Sequence, residues 1–327
     1  MNSISIINSS YKGDVILTIA IPTFRRFDLL KETLKSVFSL KFNIPIEIII
    51  VDNDPENLEL ALLEMSVFKN NDFTYYKNIK NYGMFNNWNQ CLNLGKGKLI
   101  TILHDDDLLC TNFPYELEHF LDIYESYDNI PLIGFGHYLL EQRDNEDKVK
   151  KNTLYKVSKL LFNFYNGYVQ NEKIISITLK EMLWGNKFSG TLGVVMDRDK
   201  ALSISGFDAK LYPVSDYDFW IRWIQKYGEI KYKNTKIAYY RVRNNESMKP
   251  EVISEFINKS FELRMKVIKE TKSLYSLKNN IVDLKNLEEY SYNVNWGKKN
   301  NYQLSVLDTI NYIYLKIKLI IYRYIIR

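Results

Sequence analysis

Three short apolar runs in the first third of the chain constrain its fold more than any other feature. They cover residues 15–21, 46–51 and 99–103. Such runs, rich in Ile, Val and Leu, predict β-strands, and strands that are apolar on both faces belong in the middle of a parallel sheet with helices on either side. A half-exposed antiparallel sheet would need polar and apolar residues in alternation instead.

Helical patterns separate these strands. Residues 27–40 carry apolar side chains three and four positions apart, residues 58–68 predict a second helix, and residues 86–94 predict a third that stops at Gly95. Residues 73–76 predict a further short strand. The alternation of strand and helix predicts an α/β fold with a Rossmann-like, doubly wound sheet, in which ligands bind at the carboxyl ends of the strands.

The second half of the chain is less regular. Strands are predicted over residues 131–140, 192–196 and 237–242, and the charged stretch 141–151 predicts an exposed loop. From residue 251 onward, apolar and basic residues recur at helical spacing. We therefore predict an α/β domain over residues 1–248 and a helical C-terminal region over residues 249–327.

Composition excludes several classes of protein. Of the 327 residues 46% are hydrophobic and 25% are charged, which is typical of a globular protein. The net charge of +5 is mild and its basic residues are dispersed, so we expect no nucleic-acid partner. Two cysteines and the lack of a cationic, then apolar, N-terminal pattern favour the cytoplasm.

Four residues follow the third apolar run directly: His104, Asp105, Asp106 and Asp107. Three adjacent carboxylates repel one another unless a cation lies among them. Oxygen ligands at a strand end suit Mg²⁺ or Mn²⁺, which leave coordination positions for the phosphates of a substrate. This acidic run therefore indicates a divalent metal and a nucleoside diphosphate.

The acidic run also has a structural interpretation. Asn112 can cap a following helix, and Pro114 and Glu116 suit the first turn of that helix, so the acids would belong to a capping loop. Strand alternation adds that Asp105 and Asp107 share one face, with Asp106 on the other. From these residues alone, the metal site and the capping loop remain alternatives.

Several blocks, in order along the chain, carry a resemblance to a known family. They are residues 18–26, 50–53, 81–89 and 104–109, followed in the second half by residues 206–208, 215–222 and 239–241. With these blocks the chain resembles the inverting nucleotide-sugar glycosyltransferases of family 2, which share the GT-A fold. The resemblance implies a Mn²⁺ or Mg²⁺ cofactor. It favours Asp106 as the direct ligand and places Asp105 at the ribose or donor sugar, while Asp105, Asp106 and Asp107 all stay metal candidates.

The resemblance also implies a donor site at the strand ends. Backbone groups of Pro22, Thr23 and Phe24 would meet the nucleotide base, and Asp52 would accept a hydrogen bond from a pyrimidine ring nitrogen, which favours uridine. The Asp-Asn-Asp-Pro sequence around Asp52 is equally typical of a turn. The remaining donor-binding candidates are Arg26, Asn81, Asn89, Asp105 and Arg243, of which Asn81 and Asn89 also suit turns and helix caps.

An inverting transfer needs a base that takes the proton of the attacking hydroxyl. Asp216 stands where relatives carry the Asp of a Glu-Asp pair, although Ser215 replaces the preceding acid. The alternative is a capping box in which Ser215 caps a helix and Asp218 occupies its third position. Trp220 and Trp223 fit the buried stripe of that helix better than a sugar platform.

Three further residues complete the candidate site. Arg243 replaces the His that completes the metal site in family members, and a guanidinium can pair with phosphate there or simply lie in solvent at a strand end. Trp184 and Asn186 precede a glycine-rich segment and are candidates for an acceptor wall.

The C-terminal stretch 304–327 predicts a basic amphipathic helix, with Lys316, Arg323 and Arg327 on one face. Such a helix lies either on an anionic membrane surface or against the catalytic domain or a second copy of the chain. The basic interruptions argue against a membrane span.

Together, these features predict a metal-dependent inverting glycosyltransferase that moves a sugar, with a UDP-sugar as the favoured donor, to a saccharide or lipid-linked acceptor. The family setting implies bacterial surface polysaccharide biosynthesis, in the cytoplasm or at the inner membrane face. Two alternatives stay open. A nucleotidyltransferase also combines an α/β sheet with acidic ligands but needs a Gly-rich phosphate loop, and the altered positions Ser215 and Arg243 fit a non-catalytic binding relative.

Overall fold

The computed structural model describes residues 1–9, 13–124, 126–142, 173–243, 249–296 and 306–325. Their strands are β1 (Ser3–Ile7), β2 (Leu17–Thr23), β3 (Ile46–Asp52), β4 (Thr74–Asn78), β5 (Leu99–Ile102), β6 (Leu108–Leu109), β7 (Ile133–Glu141), β8 (Ile175–Ile177), β9 (Val194–Asp197) and β10 (Ile230–Val242). The helices are α1 (Phe27–Phe38), α2 (Leu58–Met65), α3 (Met84–Leu94), α4 (Phe113–Leu121), α5 (Leu179–Leu183), α6 (Arg198–Ser203), α7 (Ser215–Tyr227), α8 (Pro250–Glu270), α9 (Lys278–Trp296) and α10 (Val306–Ile325).

The strands form one mixed sheet in the order β1-β4-β3-β2-β5-β9-β7-β10-β6, with β8 beside β10. Strands β4, β3, β2 and β5 are mutually parallel, which confirms the predicted α/β sheet. The chain passes from β2 to β3 on one side, and β5 returns to the other side of β2. This reversal opens a crevice beyond the carboxyl ends of β2 and β5, where ligands bind in doubly wound sheets.

The sheet is covered on both faces, as the apolar strands predict. One apolar layer lies under α1, α2 and α4 and includes Leu34 and Phe120. The other lies under α3 and α7 and includes Trp88, Phe207 and Trp220. Because Trp220 and Trp223 are 0% and 2% exposed, their prediction as core residues is confirmed.

Strand β2 extends further than the sequence indicates, since Pro22 and Thr23 continue it as buried residues. Successive residues of a parallel strand turn their backbone groups to opposite neighbours. Ala20 accepts a hydrogen bond from Leu103 on the β5 side, so Pro22 turns toward that side as well. Strand β5 has already ended there, at Ile102, and the missing N–H of proline costs no ladder bond. The predicted run ends at residue 21, before Pro22. The strand instead continues through Thr23, and the chain leaves it at Phe24.

Two other strands depart from the prediction. Strand β1 was not predicted; it pairs antiparallel with β4 at the edge of the sheet, with Ser3 opposite Asn78. Strand β10 begins at Ile230 rather than at residue 237. Its first half is rich in lysine and carries no apolar run, but pairing with β7 and β8 satisfies its backbone.

Three long helices, α8, α9 and α10, follow the sheet. Arg264 of α8 is 1% exposed and makes two hydrogen bonds of 2.9 Å to Glu288 of α9. Helix α10 buries Leu315 and Leu319, and Lys318 pairs with Asp283 of α9 at 2.6 Å. The division of the chain at residue 248 stays a prediction.

The outer side of α10 is apolar. Among its described side chains, the exposed ones are Leu307, Ile310, Tyr314, Ile317, Ile321 and Tyr322. Of the basic face predicted for this segment, Arg327 and the side chain of Arg323 lie outside the described residues. Among the helices of the described residues, none combines the length with the apolarity that crossing a membrane requires.

Candidate active site

The acidic run forms a tight turn between β5 and β6, at the crevice. Asp105 and Asp107 are buried, at 0% and 1% exposure, whereas Asp106 is partly exposed. Strand alternation predicted Asp105 and Asp107 on one face and Asp106 on the other, and the burial of these three residues agrees with that pattern. The following helix begins after Asn112, but the side chain of Asn112 makes no capping bond and donates to the carbonyl of Lys236 instead.

Asp105 is held by two groups from the end of β2. Thr23 Oγ1 donates to Asp105 Oδ2 at 2.7 Å, and the guanidinium of Arg26 pairs with both carboxylate oxygens. Arg26 also reaches Asp106, with Nη1 to Oδ2 at 2.9 Å. Burial raises the pKa of Asp105 to about 6, although the positive charge of Arg26 acts in the opposite direction. In this structure, Arg26 is therefore a cation placed between two of the three acids.

A second group of side chains meets on the other side of the acidic run. His104, Asp106 and Asp107 each bring one potential ligand atom within 4.8 Å of the other two. Asp107 Oδ2 lies 3.6 Å from His104 Nδ1, is fully buried, and has no hydrogen-bond partner among the described residues. Burial raises the pKa of Asp107 well above its usual range and lowers that of His104. A buried, unpaired carboxylate oxygen beside a second carboxylate and an imidazole fits a divalent cation.

The candidate ligand set thus differs from the predicted one. Asp106 and Asp107 remain in it, but Asp105 turns to Thr23 and Arg26, and His104 takes its place. The sequence contained the signal, since His104 directly precedes the three acids. Its imidazole is an alternative ligand at that position.

Arg241 fixes the backbone of the acidic run, a role that sequence reasoning did not assign to it. Its backbone N–H donates to Asp107 Oδ1 at 2.9 Å and its Nε to the carbonyl of Asp106 at 2.6 Å, while Nη2 pairs with Glu32 of α1. Arg243, which is predicted to bind a phosphate of the donor, is exposed just after β10. Its donor-binding role stays a prediction.

Asp52 ends β3 as a buried carboxylate with three donors. Oδ2 accepts from Tyr75 at 3.0 Å and from Lys77 at 2.8 Å, and Oδ1 accepts from the backbone of Asp54 at 2.9 Å. The last bond confirms the turn interpretation of the Asp-Asn-Asp-Pro sequence. A carboxylate has about four acceptor positions, so these three donors leave one further position on Oδ1.

Two predicted donor-binding asparagines already have hydrogen-bond partners within the protein. Asn81 Oδ1 accepts from Asn53 Nδ2 at 2.7 Å and from the backbone of Gly83 at 2.8 Å. Asn89 makes two bonds of 2.7 Å to the backbone of Phe207, one through each atom of its amide. Asn89 therefore anchors the turn before α7. Phe24, by contrast, is 39% exposed at the end of β2, with Arg25 5.1 Å above its ring.

Asp216 lies in the first turn of α7 and is 8% exposed. Asn186 Nδ2 donates to Asp216 Oδ2 at 2.8 Å, and Asn186 Oδ1 is itself held by the backbone of Phe188. Burial raises the pKa of Asp216 to about 6, against the hydrogen bonds from Tyr217 and Asn186. A carboxyl group with this pKa is mostly ionised at neutral pH and still basic enough to accept a proton.

The capping box predicted for this helix is wrong. Helix α7 begins at Ser215 after Val214, without a side-chain cap, and Ser215 Oγ donates to the carbonyl of Asp208 at 2.7 Å. Asp218 instead pairs with Arg222 one turn later, at 2.6 Å.

One short segment, residues 186–191, connects the candidate base with the candidate metal ligands. At its start, Asn186 binds Asp216. At its end, Thr191 Oγ1 lies 3.2 Å from His104 Nε2, and Gly190 packs against the same imidazole. Trp184, just before this segment, is partly buried and packs against the core. The fold therefore brings Asp216, Asn186 and the acidic run, which are distant in sequence, to one side of the sheet.

The comparison with protein families now identifies the domain. Residues 18–168 match the family model described as glycosyl transferase family 2. This part of the chain is similar to the family 2 glycosyltransferases. The matched segment contains the acidic run and the predicted donor-binding residues other than Arg243, whereas Asp216 and Arg243 lie beyond it.

Two curated relatives agree with this assignment in part. The chain is 24% identical over 218 residues to the "Uncharacterized glycosyltransferase MJ1057" of Methanocaldococcus jannaschii, covering 67% of each chain. It is 25% identical over 210 residues to the "Uncharacterized protein MT1568" of Mycobacterium tuberculosis, covering 63% of this chain and 61% of the other. The aligned region thus spans about two thirds or less of these relatives.

Solved structures confirm the GT-A fold. The structure of S. aureus TarS 1-349 in complex with UDP-GlcNAc matches with a TM-score of 0.57 and 14% identity, over 94% of this chain and 81% of that one. The mannosyltransferase PcManGT from Pyrobaculum calidifontis, in complex with GDP-Man and Mn²⁺, matches with a TM-score of 0.54 and 11% identity, over 97% and 82%.

Proposed function

We propose that this protein is a metal-dependent, inverting glycosyltransferase that transfers a sugar from a nucleotide sugar to an acceptor hydroxyl. The observation that carries the proposal is the segment 186–191, which ties a buried carboxylate with a pKa of about 6 to the acidic run. The ligands named for the similar structures, UDP-GlcNAc, GDP-Man and Mn²⁺, support a nucleotide-sugar donor and a divalent cation. We propose UDP as the nucleotide, because the resemblance to the family makes Asp52 the acceptor for the ring N–H of uracil.

Asp106 and Asp107 would hold the cation, with His104 beside them. A bound divalent cation neutralises the charge that develops on the departing diphosphate. Arg26 adds a positive charge at the same place and would exchange its bond to Asp106 for one to a donor phosphate. Arg243 is the second proposed phosphate contact.

Asp216 is the proposed base. Its Oδ2 is occupied by Asn186, so that the orientation of the carboxylate is fixed. In an inverting transfer this group accepts the proton of the acceptor hydroxyl while the hydroxyl oxygen attacks the anomeric carbon from the face opposite the diphosphate. Trp184 and Asn186 would line the acceptor side.

The remaining donor contacts follow from position. Pro22 and Thr23 end β2 next to Asp52, and Phe24, which follows them, offers an exposed ring for the base. Asn81 and Asn89 act through the turns that they hold, and Asp105 acts through its bonds to Thr23 and Arg26. For the acceptor we propose a saccharide or a lipid-linked saccharide, in bacterial surface polysaccharide synthesis at the inner face of the membrane, with α10 on the lipid surface or on a second copy.

A donor screen tests the proposal. Purified protein is incubated with UDP- and GDP-sugars and Mn²⁺, and release of nucleoside diphosphate is measured with and without oligosaccharide acceptors. We expect Asp106→Ala to abolish turnover and weaken donor binding, and Asp216→Asn to keep donor binding but lose transfer. Asp28→Asn, at a carboxylate that is 97% exposed on α1, is the control and keeps full activity.

Nuclear magnetic resonance of the product then gives the anomeric configuration, which an inverting enzyme reverses. Transfer at the parental rate by Asp216→Asn would show that another group is the base. Tight donor binding with no turnover by the parental protein would favour the non-catalytic relative, which the replacements at Ser215 and Arg243 leave open.

A further inference from the structure

We infer that His104 is itself a ligand of the divalent cation, binding through Nδ1, and that Thr191 sets the tautomer that leaves this nitrogen free. The inference rests on the proposed metal site and adds a nitrogen ligand to it. It concerns a position where the resemblance to the family suggests an acid.

The first step is the geometry around Nδ1. This atom faces Asp107 Oδ2 at 3.6 Å, which is too long for a hydrogen bond. The oxygen is buried and has no hydrogen-bond partner within the described part of the chain. Two neighbouring ligands of an octahedral cation lie about 3 Å apart. Nδ1 and Oδ2 both carry free lone pairs. Their separation of 3.6 Å is close to the distance of about 3 Å between two ligands of one cation.

The second step is the tautomer of the imidazole. Thr191 Oγ1 donates its hydrogen to the carbonyl of Ile102 at 2.8 Å. Its contact with His104 Nε2, at 3.2 Å, must then use an oxygen lone pair, so that Nε2 carries the hydrogen. A neutral imidazole protonated at Nε2 has its free lone pair on Nδ1. Fixing a metal-binding histidine through its other nitrogen in this way is a general feature of metal sites.

The third step is the slot that holds the ring. Trp88 stacks on the imidazole, with ring centroids 4.8 Å apart and planes 25° apart. Gly190, with a φ of +60°, borders the edge of the imidazole, and a Cβ atom there would lie 2.9 Å from His104 Cε1. Only glycine fits this position without displacing the ring. The imidazole is thus held by three residues from two separate parts of the chain.

A nitrogen ligand changes which metals the site prefers. Sites with oxygen ligands alone suit Mg²⁺, whereas imidazole favours transition metals. The wild-type protein should therefore bind Mn²⁺ and Co²⁺ more tightly than Mg²⁺. In His104→Asp, the ratio of the affinity for Mn²⁺ or Co²⁺ to the affinity for Mg²⁺ should fall by about tenfold.

Electron spin-echo spectroscopy of bound Mn²⁺ tests the ligand directly. The full-length protein is labelled with ¹⁵N-histidine and loaded with Mn²⁺ alone. We expect ¹⁵N coupling in the wild type and in His119→Gln, where the altered histidine lies on α4. In His104→Phe, which keeps an aromatic ring against Trp88, the coupling is lost and Mn²⁺ affinity falls about tenfold or more.

Thr191 supplies an independent pair of variants. Thr191→Val removes the acceptor for Nε2–H and should lower Mn²⁺ affinity about tenfold, whereas Thr191→Ser keeps the hydroxyl and the affinity. The inference is overturned if wild-type protein binds Mn²⁺ in an Asp106-dependent manner without ¹⁵N coupling. That result would leave the proposed function intact. Coupling to His104 in a protein that releases no nucleoside diphosphate would contradict the proposed function and not the ligand.

Discussion

Replacement of the proposed base should stabilise the protein. Burial raises the pKa of Asp216 from its usual value near 3.8 to about 6, so the folded state holds this proton over a pH range in which the unfolded state has released it. Each pH unit is worth about 1.4 kcal/mol, and the ionised carboxylate therefore costs the folded protein about 3 kcal/mol at neutral pH. Asp216→Asn removes this cost and keeps an oxygen that accepts from Asn186.

The sign of the pH dependence follows from linkage. Well below pH 3.8, Asp216 is protonated in both states, and the variant and the wild type differ little. As the pH rises through about 6, the wild type loses the stability that the variant keeps. Asp105 and Asp107 also have raised pKa values, but they are present in both proteins and cancel in the difference.

Urea unfolding of both proteins at pH 4.5 and pH 7.5 measures this difference. We expect the variant to be more stable at pH 7.5 by about 1 to 3 kcal/mol, with a smaller gain at pH 4.5. The reasoning fails if Asp216→Asn is no more stable than the wild type at pH 7.5, or if the gain is the same at both pH values. A residue that serves activity at a cost in folding stability is typical of functional sites.

Three further predictions concern activity, packing and the imidazole slot. If Asp216 is the base, kcat/KM for transfer falls tenfold per pH unit below about pH 6, and a flat profile down to pH 5 would contradict that role. Arg264→Met removes the partner of Glu288 and one of the two hydrogen bonds of the buried Tyr217 hydroxyl, which still donates to the carbonyl of Met182. Because Glu288 is partly exposed, this change should lower the free energy of unfolding by about 2 kcal/mol in urea titrations; a loss below 1 kcal/mol would contradict it. Gly190→Ala should weaken Mn²⁺ binding in calorimetry, whereas Gly228→Ala, at another positive φ with open space around it, should not; equal losses would indicate general strain.

Strong local patterns made the centre of the fold predictable. The apolar runs that became β2, β3 and β5 carry their own evidence of burial on both faces, and their order along the chain predicts the crevice at their ends. The first half of β10 has no such pattern. It is a strand because β7 and β8 pair with its backbone, and these contacts are not encoded in the local sequence.

The candidate site divides in the same way. Its acids were recognisable because three adjacent carboxylates are costly without a cation. The contacts between site residues were not recognisable, because each of them joins residues at least 30 positions apart. These contacts are Arg26 with Asp105, Thr191 with His104, and Asn186 with Asp216. Whether an acid binds metal or pairs with an arginine depends on these long-range contacts.

Calorimetry of donor binding tests most directly the claim that the acidic run holds a cation for the diphosphate. UDP-sugar is titrated into the wild type with Mn²⁺, into the wild type with a chelator, and into Asp106→Ala with Mn²⁺. The account predicts tight binding in the first titration only. Equal affinity in all three would contradict it.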